Sequence, residues 1–183
     1  MTFKQRLHPK WLVVAGAVMF ALLVPGAASA SSGDIARAQL ATARFHHLNA
    51  AIDAGYGLLT DKDGITCIDN PGVGGMGIHY VNGPLVDDPA VRVTTAEALV
   101  YEPQPNGKLR LVALEYVVLQ SAWEAAGNTG KPRLFGEDFE LVPAGNRYGL
   151  PPFYELHAWV WKHNPRGLFD DWNPRVHCPG DCG

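Results

Sequence analysis

The chain has 183 residues, of which 47% are hydrophobic and 18% are charged, and its formal net charge is −3 at pH 7. This length suits one ordinary domain. The acidic balance argues against a nucleic-acid-binding domain, because such a domain normally presents a basic face.

Residues 1–30 have the features of an export signal. A basic start precedes residues 11–25, an apolar run without a charge, and residues 28–30 (Ala-Ser-Ala) supply the small side chains of a cleavage site. The apolar run is shorter than the ~20 residues that a membrane span needs. We therefore predict a cleaved signal peptide, followed by a single exported domain over residues 31–183 with no stable membrane anchor. Cleavage removes three basic residues and no acid, which takes the net charge from −3 to −6.

The first predicted element of the exported part is a helix over residues 35–54. Leu40, Phe45, Leu48 and Ile52 fall close to one face at helical spacing. We expect one amphipathic helix that packs this apolar face on a sheet.

Residues 72–77 contain a literal G-x-G-x-x-G sequence. A dinucleotide-binding loop needs a strand before this motif and a helix after it. The residues that follow, 78–81 (Ile-His-Tyr-Val), are strand-like instead. The glycines therefore indicate a flexible connection or a close approach of two backbones.

The rest of the chain is rich in strand patterns. The predicted strands are residues 78–81, 96–102, 109–119, 139–142 and 153–162. Asn106-Gly107 is typical of a hairpin turn, and residues 121–126 predict a short helical turn. The predicted fold is α+β: one N-terminal amphipathic helix packed on a mostly antiparallel sheet of about four or five strands.

Three cysteines, Cys67, Cys178 and Cys182, follow the signal peptide. In an oxidising compartment two of them are expected to pair. We favour Cys67 with Cys178, and Cys67 with Cys182 is a close alternative. Pairing Cys178 with Cys182 would close only a short turn, and every pairing leaves one thiol over.

Three polar side chains lie inside predicted strands. His79 and His157 are flanked by apolar or aromatic residues, and Glu115 interrupts the apolar run 111–119. Burying a carboxylate in such a run is costly without a partner. If the three side chains converge, they form a two-histidine, one-carboxylate set. Such a set suits zinc, iron, copper or manganese, with positions left open for water or substrate.

Glu155 shares the predicted strand face of His157, which makes it the candidate catalytic base beside such a metal. The alternative is a structural cluster in which His157 pairs with Glu115 and His79 bonds to the backbone. Whether the protein is an enzyme stays open. A serine hydrolase is excluded, because only three serines follow the signal and none lies in a G-x-S-x-G elbow.

Two further functions stay open. Tyr154, Trp159 and Trp172 could line a pocket of a non-catalytic module that binds an apolar, aromatic or sugar ligand, although such residues pack cores at least as often. A structural or interaction protein without a ligand would instead expose an apolar patch. The expected partner is a small molecule, and the sequence does not determine the oligomeric state.

Several stretches carry a family resemblance. They include residues 75–82 (Gly-Met-Gly-Ile-His-Tyr-Val-Asn) and 156–165 (Leu-His-Ala-Trp-Val-Trp-Lys-His-Asn-Pro), with shorter matches at 50–56, 114–116 and 134–136. Together they resemble a family of secreted bacterial proteins, largely actinobacterial, for which no function is known. The resemblance spans nearly all of the exported part. It implies export and a single domain, and it implies no activity or cofactor.

Overall fold

The computed structural model describes residues 32–178, and a large antiparallel β-sheet forms its centre. The strands are, in chain order, β1 (Gly57–Leu58), β2 (Cys67–Asn70), β3 (Gly74–Val81), β4 (Ala98–Pro103), β5 (Leu109–Leu119), β6 (Arg133–Leu134), β7 (Glu137–Asp138), β8 (Glu140–Val142) and β9 (Phe153–Ala158). The large sheet runs β1-β3-β4-β5-β9-β8, and β2 also pairs with β3. Strands β6 and β7 form a separate two-stranded sheet.

The helices within residues 32–178 are short. They are α1 (Ser32–Thr42), a 3₁₀ helix (Ala43–His46), α2 (Leu48–Asp53), α3 (Gly83–Val86) and α4 (Gln120–Ala125). None of the helices in this part of the chain is long and apolar enough to cross a membrane. The predicted signal peptide, residues 1–30, lies outside the described residues.

The prediction of one N-terminal amphipathic helix over residues 35–54 is wrong. The stretch is divided into α1, the 3₁₀ helix and α2. At the first junction the Thr42 hydroxyl donates to the carbonyl four residues earlier (2.8 Å), which competes with the helix ladder. At the second, His47 is extended (φ −95°, ψ 107°). Phe45 is thereby buried while Leu40 is 83% exposed, so the four apolar residues do not share one face.

The prediction of four or five strands is also wrong, because the large sheet has seven. The additional strands β1 and β2 are only two and four residues long. Strand β3 begins at Gly74 rather than at residue 78, so the glycine run is itself part of the sheet. Strand β9 ends at Ala158 rather than at residue 162, because the Trp159 N–H donates to the Leu168 carbonyl outside the sheet (2.9 Å).

The two faces of the large sheet pack against different parts of the chain. Leu114 and Tyr116 of β5 lie in the main apolar cluster, which also holds Phe45 and Ala51 from the helical segment. Ala113 lies on the opposite face and packs with Val100, Val112, Trp159 and Val176, and a third cluster joins Val86, Val117 and Phe153. The candidate site lies on this second face, away from the helical segment.

The glycines of β3 let the C-terminal segment approach this second face closely. Gly74 and Asn173 are so near that a Cβ on Gly74 would stand 2.5 Å from the Asn173 carbonyl carbon. A Cβ on Gly75 would stand 2.8 Å from the Val176 carbonyl oxygen. A disulfide between Cys67 and Cys178 then anchors the end of this segment to β2. This is the pairing that the sequence favours, and Cys182 lies outside the described residues.

Candidate metal centre

Three strands carry the candidate ligands to one place. Glu115 and His157 are directly opposite each other in the register of β5 and β9. Strand β4 lies between β3 and β5, where Val100 pairs with His79 and Ala98 pairs with Glu115. Directly paired residues point to the same face of a sheet. Because Ala98 carries only a methyl group, the side chains of His79 and Glu115 can meet above β4.

The three side chains form a tight group. Each offers one ligand atom, and these atoms lie within 4.8 Å of one another. His79 Nε2 is 3.5 Å from Glu115 Oε2, and the centroids of the two imidazole rings are 6.2 Å apart. Only 1% of His79, 1% of His157 and 6% of Glu115 is exposed. This cluster could hold a metal ion.

The two imidazole rings lack hydrogen-bond partners. Within the described part of the chain, both ring nitrogens of His79 and both of His157 are buried without a partner. Buried polar groups are normally paired, and leaving one unpaired costs about 1–3 kcal/mol. These nitrogens therefore remain available as ligand atoms, with His79 Nε2 paired at 3.5 Å with the Glu115 carboxylate.

Both imidazoles are in the chemical form that binds metals. Burial lowers the pKa of His79, against the opposing effects of the Glu115 charge and the Gly77 backbone. Burial, and then the charge of His79, lower the pKa of His157 well below its usual range. Neutral rings keep a lone pair for coordination, so neither histidine must lose a proton at neutral pH before it binds a metal.

Two more acids lie beside Glu115. Glu155 lies on β9 two residues before His157, and burial and the charges of Glu115 and Asp171 raise its pKa to about 10. Burial, followed by Glu115, raises the pKa of Asp171 to about 6. The raised pKa values favour the protonated, uncharged forms of these two acids, and a cation beside Glu115 would favour their ionised forms. Asp171 was not predicted, because it lies in a turn-rich segment without periodicity.

The C-terminal segment covers the His157 side of the site. The ring of Trp159 lies 4.6 Å from that of His157, centroid to centroid, at an interplanar angle of 33°. The indole N–H of Trp159 donates to the Asp170 carbonyl (2.6 Å). Because Asn173 also pairs with Gly75, this segment is held across β3 and β9.

The aromatic residues predicted as a second pocket do not come together. Tyr154 lies in the main apolar cluster, whereas Trp159 lies in the cluster on the opposite face with Val176. The prediction of a shared pocket for Tyr154 and Trp159 is therefore wrong, because β9 ends at Ala158 and its residues alternate between the faces. Trp172 is half-buried.

Comparisons with known proteins leave the site to be interpreted from its geometry. No protein-family model, no curated protein and no solved structure matches the chain. The resemblance to secreted bacterial proteins therefore stays a prediction.

Proposed function

We propose that this protein is an exported domain that binds one divalent transition-metal ion through His79, Glu115 and His157. The observation that carries the proposal is the convergence of these three buried side chains, with all four imidazole nitrogens unpartnered. A metal ion would accept one lone pair from each ring and compensate the charge of Glu115. It would thereby offset the cost of burying all three groups.

The spacing of the ligand atoms requires a small adjustment on binding. Ligands at about 2.0–2.2 Å from a tetrahedral zinc ion stand about 3.3–3.6 Å apart. The present spacing of up to 4.8 Å must therefore shrink by about 1 Å. Two imidazoles and one carboxylate leave at least one coordination position open, as catalytic metal sites do. We accordingly propose zinc, iron, copper or manganese as the occupant.

Glu155 is the residue that we propose as a catalytic base. A divalent metal lowers the pKa of a bound water to about 7. Glu155 lies next to Glu115, and the charge of a bound cation would lower its raised pKa, so that the carboxylate could take up the proton of such a water. In this proposal Glu155 does not coordinate the metal, so its removal leaves metal binding intact.

The structural alternative lacks its expected contacts. It requires a bond between His157 and Glu115 and a backbone bond to His79. In the described residues both nitrogens of His157 are without a hydrogen-bond partner, and the Glu115 carboxylate pairs at 3.5 Å with His79 rather than with His157. The Gly77 backbone acts on His79, as the alternative requires, so the contrast rests on His157. This difference favours the metal over a purely structural cluster.

We also propose that the protein works outside the cytoplasm. The residues that support this are the predicted signal peptide and the disulfide between Cys67 and Cys178. A structural disulfide of this kind is compatible with an oxidising compartment.

A metal titration tests the proposed function. The full chain is produced through an oxidising compartment and stripped with a chelator. It is then titrated with Zn²⁺ in competition with a chromophoric chelator. We expect one equivalent of tight binding, and at least a hundredfold loss of affinity in His157→Ala. Glu155→Gln should still bind one equivalent of zinc tightly. His47→Ala, which removes an exposed imidazole, should do the same.

Either of two results would contradict the proposal. The first is a wild-type protein that binds no zinc and none of the other three metals. The second is equal zinc affinity in the wild type and in His157→Ala, which would place the metal elsewhere.

A further inference from the structure

We infer that the metal centre takes a small apolar molecule with a single neutral oxygen group, such as a substituted phenol, from a cavity that adjoins Glu115. The inference rests on the proposed metal site and names the class of ligand that this site would take. Its basis is a cavity that shares one residue with the candidate metal ligands.

The cavity lies on the second face of the sheet, next to the candidate ligands. It has a volume of about 240 Å³, and Glu115 forms part of its wall. The residues two and four positions further along β5 also line it, so the cavity follows the strand away from the metal ligands. The principal apolar lining residues are Val86, Val117, Leu119, Tyr148 and Phe153.

The volume of the cavity limits the size of the ligand. An apolar cavity of about 150 Å³ holds benzene. The present cavity therefore has room for one aromatic ring with a few substituents, or for an aliphatic chain of similar volume. It is smaller than the range of roughly 300–1,000 Å³ that is usual for drug-sized ligands. A polysaccharide or a peptide would not fit inside it.

The charges around the cavity limit the polar group of the ligand. Its charged lining residues are Glu115 and Asp87, and no lysine or arginine is among the described residues that line it. The two carboxylates offset the charge of a divalent ion, so the loaded site would be close to neutral and would favour a neutral ligand over a carboxylate or a phosphate. A hydroxyl or carbonyl oxygen could reach an open metal position while the rest of the molecule stays among apolar side chains.

A loop held in place by an ion pair forms part of the cavity wall. Tyr148, Leu150 and Pro151 line the cavity from this loop. The adjacent Arg147 donates to the buried Asp61 carboxylate (2.8 Å), and its carbonyl accepts from the Lys62 N–H (3.0 Å). These contacts hold the loop in place, so the cavity exists before the ligand arrives.

Calorimetry on the zinc-loaded full chain tests the inference, with phenol, toluene and benzoate as probes. Phenol and toluene share a ring and differ in the oxygen, whereas benzoate adds a charge. We expect phenol to bind at least tenfold more tightly than toluene or benzoate. Its affinity should fall at least tenfold when the zinc is removed. In cobalt-loaded wild-type protein, phenol should also change the visible spectrum, because its oxygen enters the coordination sphere.

A matched pair of variants locates the ligand. Leu119→Trp fills the cavity and keeps all three metal ligands, so it should bind one zinc and lose at least tenfold in phenol affinity. Leu141→Trp places the same side chain on edge strand β8, away from the cavity. This variant should bind zinc and phenol with the affinities of the wild type.

The outcomes separate the two proposals. One equivalent of zinc with phenol bound no better than toluene would overturn the inference and leave the metal site standing. Tight benzoate binding, an unchanged cobalt spectrum, or equal phenol affinity in the two variants would also overturn it. A protein that binds no metal would overturn both. The cobalt spectrum of the wild type decides the question even where Leu119→Trp does not fold.

Discussion

Replacing His157 with leucine should stabilise the metal-free protein, although His157 is only 1% exposed. Substitution of a buried residue normally destabilises a protein. The expected sign is opposite here, because a site built for a metal keeps polar groups that the metal-free fold does not satisfy. The prediction therefore separates a binding site from a structural cluster.

The magnitude follows from the contacts of the ring. Both His157 nitrogens are buried without a partner, and each such group costs about 1–3 kcal/mol. Leucine removes both groups, which gains about 2 kcal/mol at the lower end of that range. It also loses the ring contact with Trp159, worth about 0.5–1.5 kcal/mol. The free energy of unfolding should therefore rise by about 1 kcal/mol.

The assay is urea denaturation of chelator-treated protein, followed by tryptophan fluorescence. Asn164→Leu is the matched control, because Asn164 is also buried but its amide donates to the carbonyls of Asp170 and Trp172 (both 3.1 Å). Loss of these bonds should cost about 2–4 kcal/mol. Adding zinc at a hundred times its dissociation constant should stabilise the wild type by about 2.7 kcal/mol and leave His157→Leu unchanged.

The reasoning would be refuted if His157→Leu lost stability as Asn164→Leu does, since the ring would then have partners. It would also be refuted if zinc stabilised His157→Leu as much as the wild type.

Three further predictions concern the rest of the fold. Burial raises the pKa of Glu97 from 4.5 to about 8, so the stability it contributes is fully present below pH 4.5 and is lost as the pH rises through 8. Urea denaturation at pH 5, 7 and 9 should show that the free energy of unfolding of the wild type declines as the pH rises, and Glu97→Gln should reduce this decline by roughly 3–5 kcal/mol. An equal decline in both proteins would contradict this prediction. Cys178→Ser opens a disulfide with a sequence separation of 111 residues and should lower the free energy of unfolding by about 4–5 kcal/mol, whereas Cys182→Ser should leave it unchanged. The reverse order of the two serine variants would show that the other pairing forms. Gly77→Ala places a Cβ 2.6 Å from the Tyr101 carbonyl oxygen, at a backbone φ of +113°. In thermal unfolding it should therefore lower the free energy of unfolding by about 2–3 kcal/mol. Gly83→Ala, whose Cβ meets no atom within 4 Å, should lower it by less than about 1 kcal/mol. Equal losses in the two glycine variants would refute the close contact.

Local sequence patterns were sufficient for the central strands. The apolar run 109–119 has the bounds of β5, and Asn106-Gly107 marks the turn between β4 and β5. Mid-strand polar residues were also informative, because His79, Glu115 and His157 are buried together as the cost of burying them singly predicts. Alternation gave the face of each residue within its own strand, although no spacing in the sequence showed that three strands would bring them together.

Tertiary contacts determine three features that the sequence pattern did not predict: the break in the helical segment, the end of β9 and the cavity beside Glu115. The helical segment breaks near Thr42 so that Phe45 reaches the core, and helical periodicity alone does not contain this constraint. The strand β9 ends early because the Trp159 N–H donates to the Leu168 carbonyl, nine residues away in an irregular segment. The cavity beside Glu115 depends on a loop pinned by the ion pair between Asp61 and Arg147, whose partners are far apart in the chain.

The metal content of the protein as isolated tests the central claim most directly. The full chain, produced through an oxidising compartment without a histidine tag, should carry about one equivalent of zinc, iron, copper or manganese by elemental analysis. The His157→Ala protein, prepared in parallel, should carry none. A wild-type protein that is metal-free and also refuses added metal would contradict the account, and His79, Glu115 and His157 would then be structural groups.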